Sequence, residues 1–407
     1  MKKPLEGIKI LDFTQFFAGP FATLLLSDMG AEIIKLENPP SGDSTRYSTA
    51  VVNECSTNYT TRNRGKKSVV MNLKDERQKA VFFEMLKTAD VVIENFKPGT
   101  LEKYGLTYEA MKAVNPKIVY TSISGYGQTG PYRDHAAYDG AVQAEAGLMS
   151  INGEAGGEPV KCGAAIADAA AGLVGCIGTL GALMDARING VGHRVDVSMM
   201  DSIIAIMENF SSAYLATGNI PHATGNRQWT ACPFNSFKCK GGRSIYLGIS
   251  TNDQFAKFCS IVRHPEWMDD PRFENETIRP QYADALEALV SDVLKDWDVD
   301  ELAARLQENK LVYGKINDVS QVVDHPQTKA RNMIVDVAYP DGTKVQVPGC
   351  PIKMSGLEEQ TEYCAYPLGY NTFDVLAQYG YSKETLHQIY DQTLEACAQM
   401  REKKYKK

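Results

Sequence analysis

Short β-branched runs alternate with amphipathic stretches of helical length through the first third of the chain, and this constrains the fold more than any other feature. IKILDF (8–13), AEIIKLE (31–37), DVVIEN (90–95) and KIVYTSIS (117–124) read as strands, with helices through FATLLLSDMG (21–30) and DERQKAVFFEMLKTA (75–89). Strands joined by crossovers of that length pair in parallel and cross over right-handedly, which places helices on both faces of the sheet. The expectation is therefore an α/β fold with a doubly wound, Rossmann-like parallel sheet. A small-residue helix and the strand HRVDVSMM (193–200) extend it to about residue 200.

From Gly225 the character changes. The turn-rich GNRQWTACPFNSFKCKGGR precedes the strand SIYLGIS, helices through FAKFCSIV and YADALEALVSDVLKDW, and a strand LVYGKI. Residues 225–325 thus read as a smaller α+β domain, 201–224 as a linker to it, and 326–407 as a return connection with a helical tail. The terminal REKKYKK is a charge run expected to fray into solvent.

Composition narrows the chemistry. With 407 residues, 43% hydrophobic and 23% charged, the chain is long enough for one large and one small core. A net charge of −7 argues against nucleic-acid or acidic-membrane partners, which need a basic face. Nine cysteines are scattered without a two-residue pair, and the start has no uninterrupted apolar core, so reduced thiols and a cytoplasmic location are expected. The apolar stretch from Ala169 to Met184 is shorter than a bilayer requires and reads as a buried helix. No two histidines share metal-ligand spacing, and no G-x-S-x-G elbow is present. No metal and no tightly bound cofactor are expected.

Within GAAIADAAAGLVGCIGTLGALM, Asp168 opens a helix whose glycines 172, 175, 178 and 181 fall along one stripe. Glycine inside a helix costs about 1 kcal/mol relative to alanine, so the stripe implies close packing or a closely approaching ligand. Asp168 itself fits two roles: a helix cap, or an ionised carboxylate kept nucleophilic beside helix amides. Gly125-Tyr126-Gly127-Gln128-Thr129-Gly130 has the dinucleotide spacing, but Pro131 follows where a helix should begin, so a loop is expected. Arg62, Arg64, Lys66 and Lys67 concentrate four cations in six residues, as a solvated face or as a partner for phosphates.

Taken together, LEGIKILDFTQFFAGPFATLLLSDMGAEIIKLENP, GDSTRY, NRGKKSVVMNLK, ENFKPGTLEKYGL, SGYGQTGPYRDHAAYDGAVQAEAG and GAAIADAAAGL resemble the class III CoA-transferases, in family order and across essentially the whole chain. The resemblance implies that both chain ends build the large domain, that the small domain is inserted between them, and that two subunits interlock as a homodimer. It implies acyl-CoA and a small carboxylic acid as substrates, with Asp168 as the nucleophile. It also implies coenzyme A contacts at Gln15, Ala18, Asn72, Leu73, Lys74, Asn95, Phe96, Lys97, Pro98, Lys103, Tyr138 and Asp139. Lys97 and Lys103 stand where the family often has arginine, which keeps charge and loses the bidentate fork. Phe17 stands for a glutamine of the formyl-CoA transferases, Asn38 stands for an arginine, and a run of four glycines is absent. These departures point away from oxalate and toward a less polar acyl group, with Phe17, Trp229 and Phe234 as acyl-pocket candidates. Two alternatives are an α-methylacyl-CoA racemase, which would need a histidine where Tyr138 stands, and a non-catalytic CoA-ester-binding protein.

Overall fold

A computed structural model describes residues 2–48 and 50–405. The chain divides into two compact units, one comprising Met1–Leu148, Cys162–Gly218 and Pro326–Lys407, the other Met149–Lys161 and Asn219–His325.

The first unit is built on six strands, β1 (Lys9–Asp12), β2 (Glu32–Glu37), β3 (Lys67–Val70), β4 (Val91–Glu94), β5 (Val119–Ser124) and β6 (Arg194–Ser198). Their order is 3-2-1-4-5-6, every pairing is parallel, and Ile10 sits between Ile33 on one side and Val91 on the other. This is the doubly wound order expected from the alternating runs. Such a sheet opens a crevice at the carboxyl ends of β1 and β4, where the winding reverses, and ligands bind there. β3 is the strand that the sequence reading lacked, because its first residue belongs to the cation-rich run.

The helices that position the site are, in chain order, α1 (Ala18–Asp28), α2 (Thr57–Asn63), α3 (Glu76–Leu86), α4 (Tyr108–Val114), α5 (Asp139–Glu145), α6 (Ile166–Ile188) and α7 (Met199–Ile206). On one face of the sheet, Val81, Phe82, Met85 and Leu86 of α3 pack with Val69, Val92 and Tyr120. The helix Lys383–Tyr405 adds Leu386, Tyr390 and Cys397 to that core. On the other face α6 crosses α1, and the glycine stripe explains how. A Cβ on Gly172 would stand 2.8 Å from the carbonyl oxygen of Ala18, and one on Gly175 or Gly178 would meet Ile123 or Val195 at 2.6 or 2.8 Å. Gly181 has nothing within 4 Å. Three of the four glycines thus serve close packing, on the Ala18 backbone and on the Ile123 and Val195 side chains. By length and composition α6 is apolar enough to cross a membrane, and half of its most apolar stretch is buried on α1 and the sheet.

Within the expected 201–224 linker, SIIAIMENFSSAYLAT reads as an apolar helix ending in Gly218, and the structure has helices Met199–Ile206 and Glu208–Thr217 with Gly218 at the end in a left-handed conformation. Two expectations for the tail differ from the structure. The chain end does not fray by residue 405: Tyr405 donates its hydroxyl to the Arg46 carbonyl at 2.6 Å, and Arg401 pairs with Glu54 at 2.8 Å. The last two lysines of that run lie outside the described residues. Between residues 334 and 364 a three-stranded sheet stands where only a return connection was read, with strands Ile334–Ala338, Lys344–Pro348 and Glu362–Cys364.

The second unit holds an antiparallel sheet of Phe234–Lys238, Ser244–Gly248 and Val312–Lys315, covered by helices Asn252–Val262, Ala283–Leu294 and Val299–Glu308. Its core gathers Phe237, Leu247, Phe255, Phe258, Leu286, Val290 and Leu302. Buried Arg279 spans it, donating to the carbonyls of Cys232 and Phe273 at 3.2 and 3.1 Å.

Candidate active site

Three helix starts, α1, α5 and α6, meet beside the carboxyl ends of the strands, and none has a capping side chain of its own. Their first amides need acceptors. Asp139, in the first turn of α5, supplies them for α6: its Oδ1 accepts from the amides of Ala167 and Asp168 at 2.8 and 3.3 Å. Its Oδ2 accepts from Gln143 at 2.6 Å. Asp168 is therefore not the cap that its position suggested. Its carboxylate is left for other work, and the Ala18 amide at the open end of α1 favours its ionised form. Burial, and then the neighbouring Asp139 charge, push Asp168 up to about 6; Arg62 and the Ala18 amide oppose the rise.

Asp168 lines a cavity of about 470 Å³ with Phe16, Phe17, Ala18, Asn95, Phe96, Lys97, Pro98, Gly125, Tyr138 and Arg62. Phe16 holds φ at 64°, a left-handed backbone that costs a bulky residue about 1–3 kcal/mol. Asn95 ties the ends of β1 and β4 together: its side-chain oxygen accepts from the Gln15 amide at 2.7 Å and its nitrogen donates to the Gln15 carbonyl at 2.8 Å. Beneath it Glu94 accepts from the Phe96 amide at 2.7 Å, and burial pushes this carboxyl up to about 7.

A second cavity of about 370 Å³ is lined by Gln15, Asn38, Asn72, Leu73, Lys74, Phe96, Thr100 and Tyr104. Phe96 lines both cavities. Together the two run along the crevice that the strand order predicts, from the α6 start past the β1–β4 junction to the β3 end.

The cation-rich run turns out to be neither a solvated face nor a phosphate cradle. Arg64 is fully buried on Asp28, at 2.6 and 3.0 Å. Lys66 is buried on Thr23 at 2.7 Å, Asn63 at 2.9 Å and Asp12 at 3.4 Å, and burial brings it down to about 7. Lys67 pairs with Glu32 at 2.6 Å. Arg62 alone of the four lines the cavity, with its guanidinium 4.1 Å above the Phe17 ring.

The family model described as CoA-transferase family III matches residues 5–372. The chain belongs to that family. A succinate–glutarate CoA-transferase of Agrobacterium fabrum is 36% identical over 384 residues, covering 93% of this chain and 96% of the relative. An acetyl-CoA:oxalate CoA-transferase of Acetobacter aceti is 35% identical, covering 89% and 92%. Among solved structures, a CAIB/BAIF family protein from Brucella suis superposes with a TM-score of 0.85 at 33% identity, covering 93% of this chain and all of that one.

This family III CoA-transferase is an enzyme, and its crevice gathers most of the positions that the resemblance marks. Ala18, Asn95, Lys97, Pro98 and Tyr138 line the Asp168 cavity; Gln15, Asn72, Leu73 and Lys74 line the second; Phe96 joins them. Lys103 lines neither and sits exposed in the turn Glu102–Tyr104. Asp139 lines neither as well, and acts on Asp168 from behind. Trp229 and Phe234 belong to the second unit, where Trp229 is exposed and Phe234 packs edge-on to Tyr246 at 5.8 Å. Phe17 does not present a bare apolar wall, because Arg62 lies over its face. In the Gly125–Gly130 loop the amides of Gly127 and Gln128 donate to Ser124 and Asp196. The sequence reading missed Arg62 as a cavity residue and Asp139 as the α6 cap. The second contact joins residues 29 apart and left no local signal.

Proposed function

We propose that the enzyme moves coenzyme A from an acyl-CoA thioester to a small free carboxylic acid through covalent intermediates on Asp168. The carrying observation is that Asp139 caps α6, which leaves the Asp168 carboxylate turned to a cavity and to an open helix amide. The relatives whose names specify succinate, glutarate and oxalate transfer support the substrate class.

In the first step an Asp168 oxygen attacks the thioester carbonyl, forming a mixed anhydride and expelling the CoA thiolate. The thiolate then attacks the Asp168 carbonyl of that anhydride, releasing the donor acid and leaving an aspartyl-CoA thioester. The acceptor carboxylate repeats the sequence in reverse: it forms a second anhydride, and the thiolate takes the new acyl group and restores the Asp168 carboxylate. One thioester is broken and one is made, so the scheme consumes no ATP. The Ala18 amide is positioned to stabilise charge on the Asp168 carboxyl as it is attacked. Gln15, Ala18, residues 72–74 and 95–98, and Tyr138 are proposed to hold coenzyme A along the crevice. Leu173, Ile177, Met184 and Ile188 form an exposed apolar face on α6, which we assign to a homodimer contact.

The test is Asp168→Ala with an acyl-CoA and a panel of acids, new thioesters being followed by mass. Transfer is expected to fall by about a thousandfold or more. Retained transfer, or trapped wild-type enzyme without an adduct on the Asp168 peptide, would refute the mechanism.

A further inference from the structure

Arg62 is the one member of the cation-rich run without a carboxylate partner. Arg64, Lys66 and Lys67 reach Asp28, Asp12 and Glu32 at 2.6, 3.4 and 2.6 Å. Among the described residues, Arg62 has no carboxylate within ion-pair distance, although it is partly buried and lines the Asp168 cavity. Its hydrogen bonds all leave from Nη1, to the Phe16 carbonyl at 3.4 Å, the Asn58 carbonyl at 3.5 Å and the Asn58 side-chain oxygen. Among the described residues, Nε and Nη2 have no hydrogen-bond partner. The guanidinium carbon lies over the Phe17 ring, 4.1 Å from its centroid, and Phe17 is itself braced by Phe21 at 5.8 Å. The result is a charged planar fork, fixed by aromatic stacking and one anchored nitrogen, with its remaining donors unspent.

A partly buried cation without a counter-ion loses solvation without compensation, so such a group implies an anion that arrives with the ligand. Two carboxylates act on Arg62 through space, Asp168 in the cavity and then Asp43, and neither is within ion-pair distance. A close pair of Arg62 with Asp168 would hold Asp168 low, yet burial and Asp139 prevail and raise it. Arg62 is thus near the nucleophile without being its partner.

We propose that Arg62 is the residue that selects dicarboxylic substrates: its guanidinium, stacked on Phe17, binds the far carboxylate of an acid whose near carboxyl reacts at Asp168. This deepens the transferase reading and rests on it. Planar bidentate recognition of carboxylate is what a guanidinium offers and an ammonium does not. Thr45 and Asn58, which also line the cavity, are the polar neighbours of that end.

The experiment compares acceptors matched in length, glutarate against valerate and succinate against butyrate, with succinyl-CoA as donor. The readout is the ratio of kcat/KM for the dicarboxylic over the monocarboxylic member. Wild type is expected to favour the dicarboxylic member. Arg62→Met should lower the ratio about ten- to a hundredfold, the range for a hydrogen bond to a charged group, and Arg62→Lys should restore only part of it. An unchanged ratio in Arg62→Met, whatever the absolute rates, or a wild type indifferent to the far carboxylate, overturns the proposal. If Arg62→Met fails to fold, the wild-type preference and the lysine variant decide in the same way. Peptide mass mapping of the wild type tests the Asp168 adduct separately, so a missing adduct sinks the mechanism and an unchanged ratio sinks only the role of Arg62.

Discussion

Replacing Asp139 by asparagine keeps an oxygen facing the start of α6 and removes a charge next to Asp168. The Oδ1 acceptor for the amides of Ala167 and Asp168 survives, while the other arm becomes a donor facing Gln143, where a 2.6 Å hydrogen bond is lost at about 1 kcal/mol. Asp168 stands at about 6 against an ordinary 3.8, roughly 3 kcal/mol at about 1.4 kcal/mol per pH unit. Burial supplies the larger part of that rise and Asp139 the next, so removing the Asp139 charge should bring Asp168 down while burial still holds it above 3.8. The protonated carboxyl is not nucleophilic, so the acylation rate rises with pH through about 6 in the wild type. In Asp139→Asn that rise should move to lower pH while the plateau above it is kept. Single-turnover acylation by an acyl-CoA between pH 4.5 and 8.5 reads the midpoint directly. A midpoint that stays in place or moves upward refutes the electrostatic role given to Asp139, and a midpoint at the ordinary aspartate value in the wild type refutes the environment given to Asp168.

The same raised carboxyl predicts a stability effect. A folded-state value above the unfolded one favours folding of the protonated form; that contribution is full below 3.8 and is lost as pH rises from there through about 6, so Asp168→Asn should melt higher than wild type at pH 7.5, by less at pH 5, and close to it only below 3.8. The glycine stripe gives a paired test by thermal melting: Gly172→Ala meets the Ala18 carbonyl at 2.8 Å and should destabilise by about 1–3 kcal/mol, whereas Gly181→Ala, in open space, should gain about 0.5–1 kcal/mol. Arg64→Met strands Asp28 in the interior and should cost about 3–5 kcal/mol, read as a fall in the denaturation midpoint; a change below 1 kcal/mol would mean that the pair is not buried.

The parallel sheet was legible because β-branched runs such as DVVIEN and KIVYTSIS are buried on both faces and carry their own signal. β3 was not, since its four residues open on Lys67 within a run of cations whose burial depends on Asp12, Asp28 and Glu32 elsewhere in the chain. The Ile334–Pro348 hairpin was legible in principle, because IVDVA and KVQVP alternate about an Asp341-Gly342 turn. In the site, Asp168 stood out by its place at a helix start. What that place meant depended on Asp139, a distant residue in sequence; the local pattern alone favours a cap, and the nucleophile reading comes from the family resemblance.

The contact at Gly172 ties the reacting group to its donor mechanically. Because the Ala18 carbonyl lies against Gly172, the residue whose amide faces Asp168 is seated on the α6 turn that follows Asp168. A single methyl group, placed where neither substrate nor nucleophile would touch it, is enough to break that linkage.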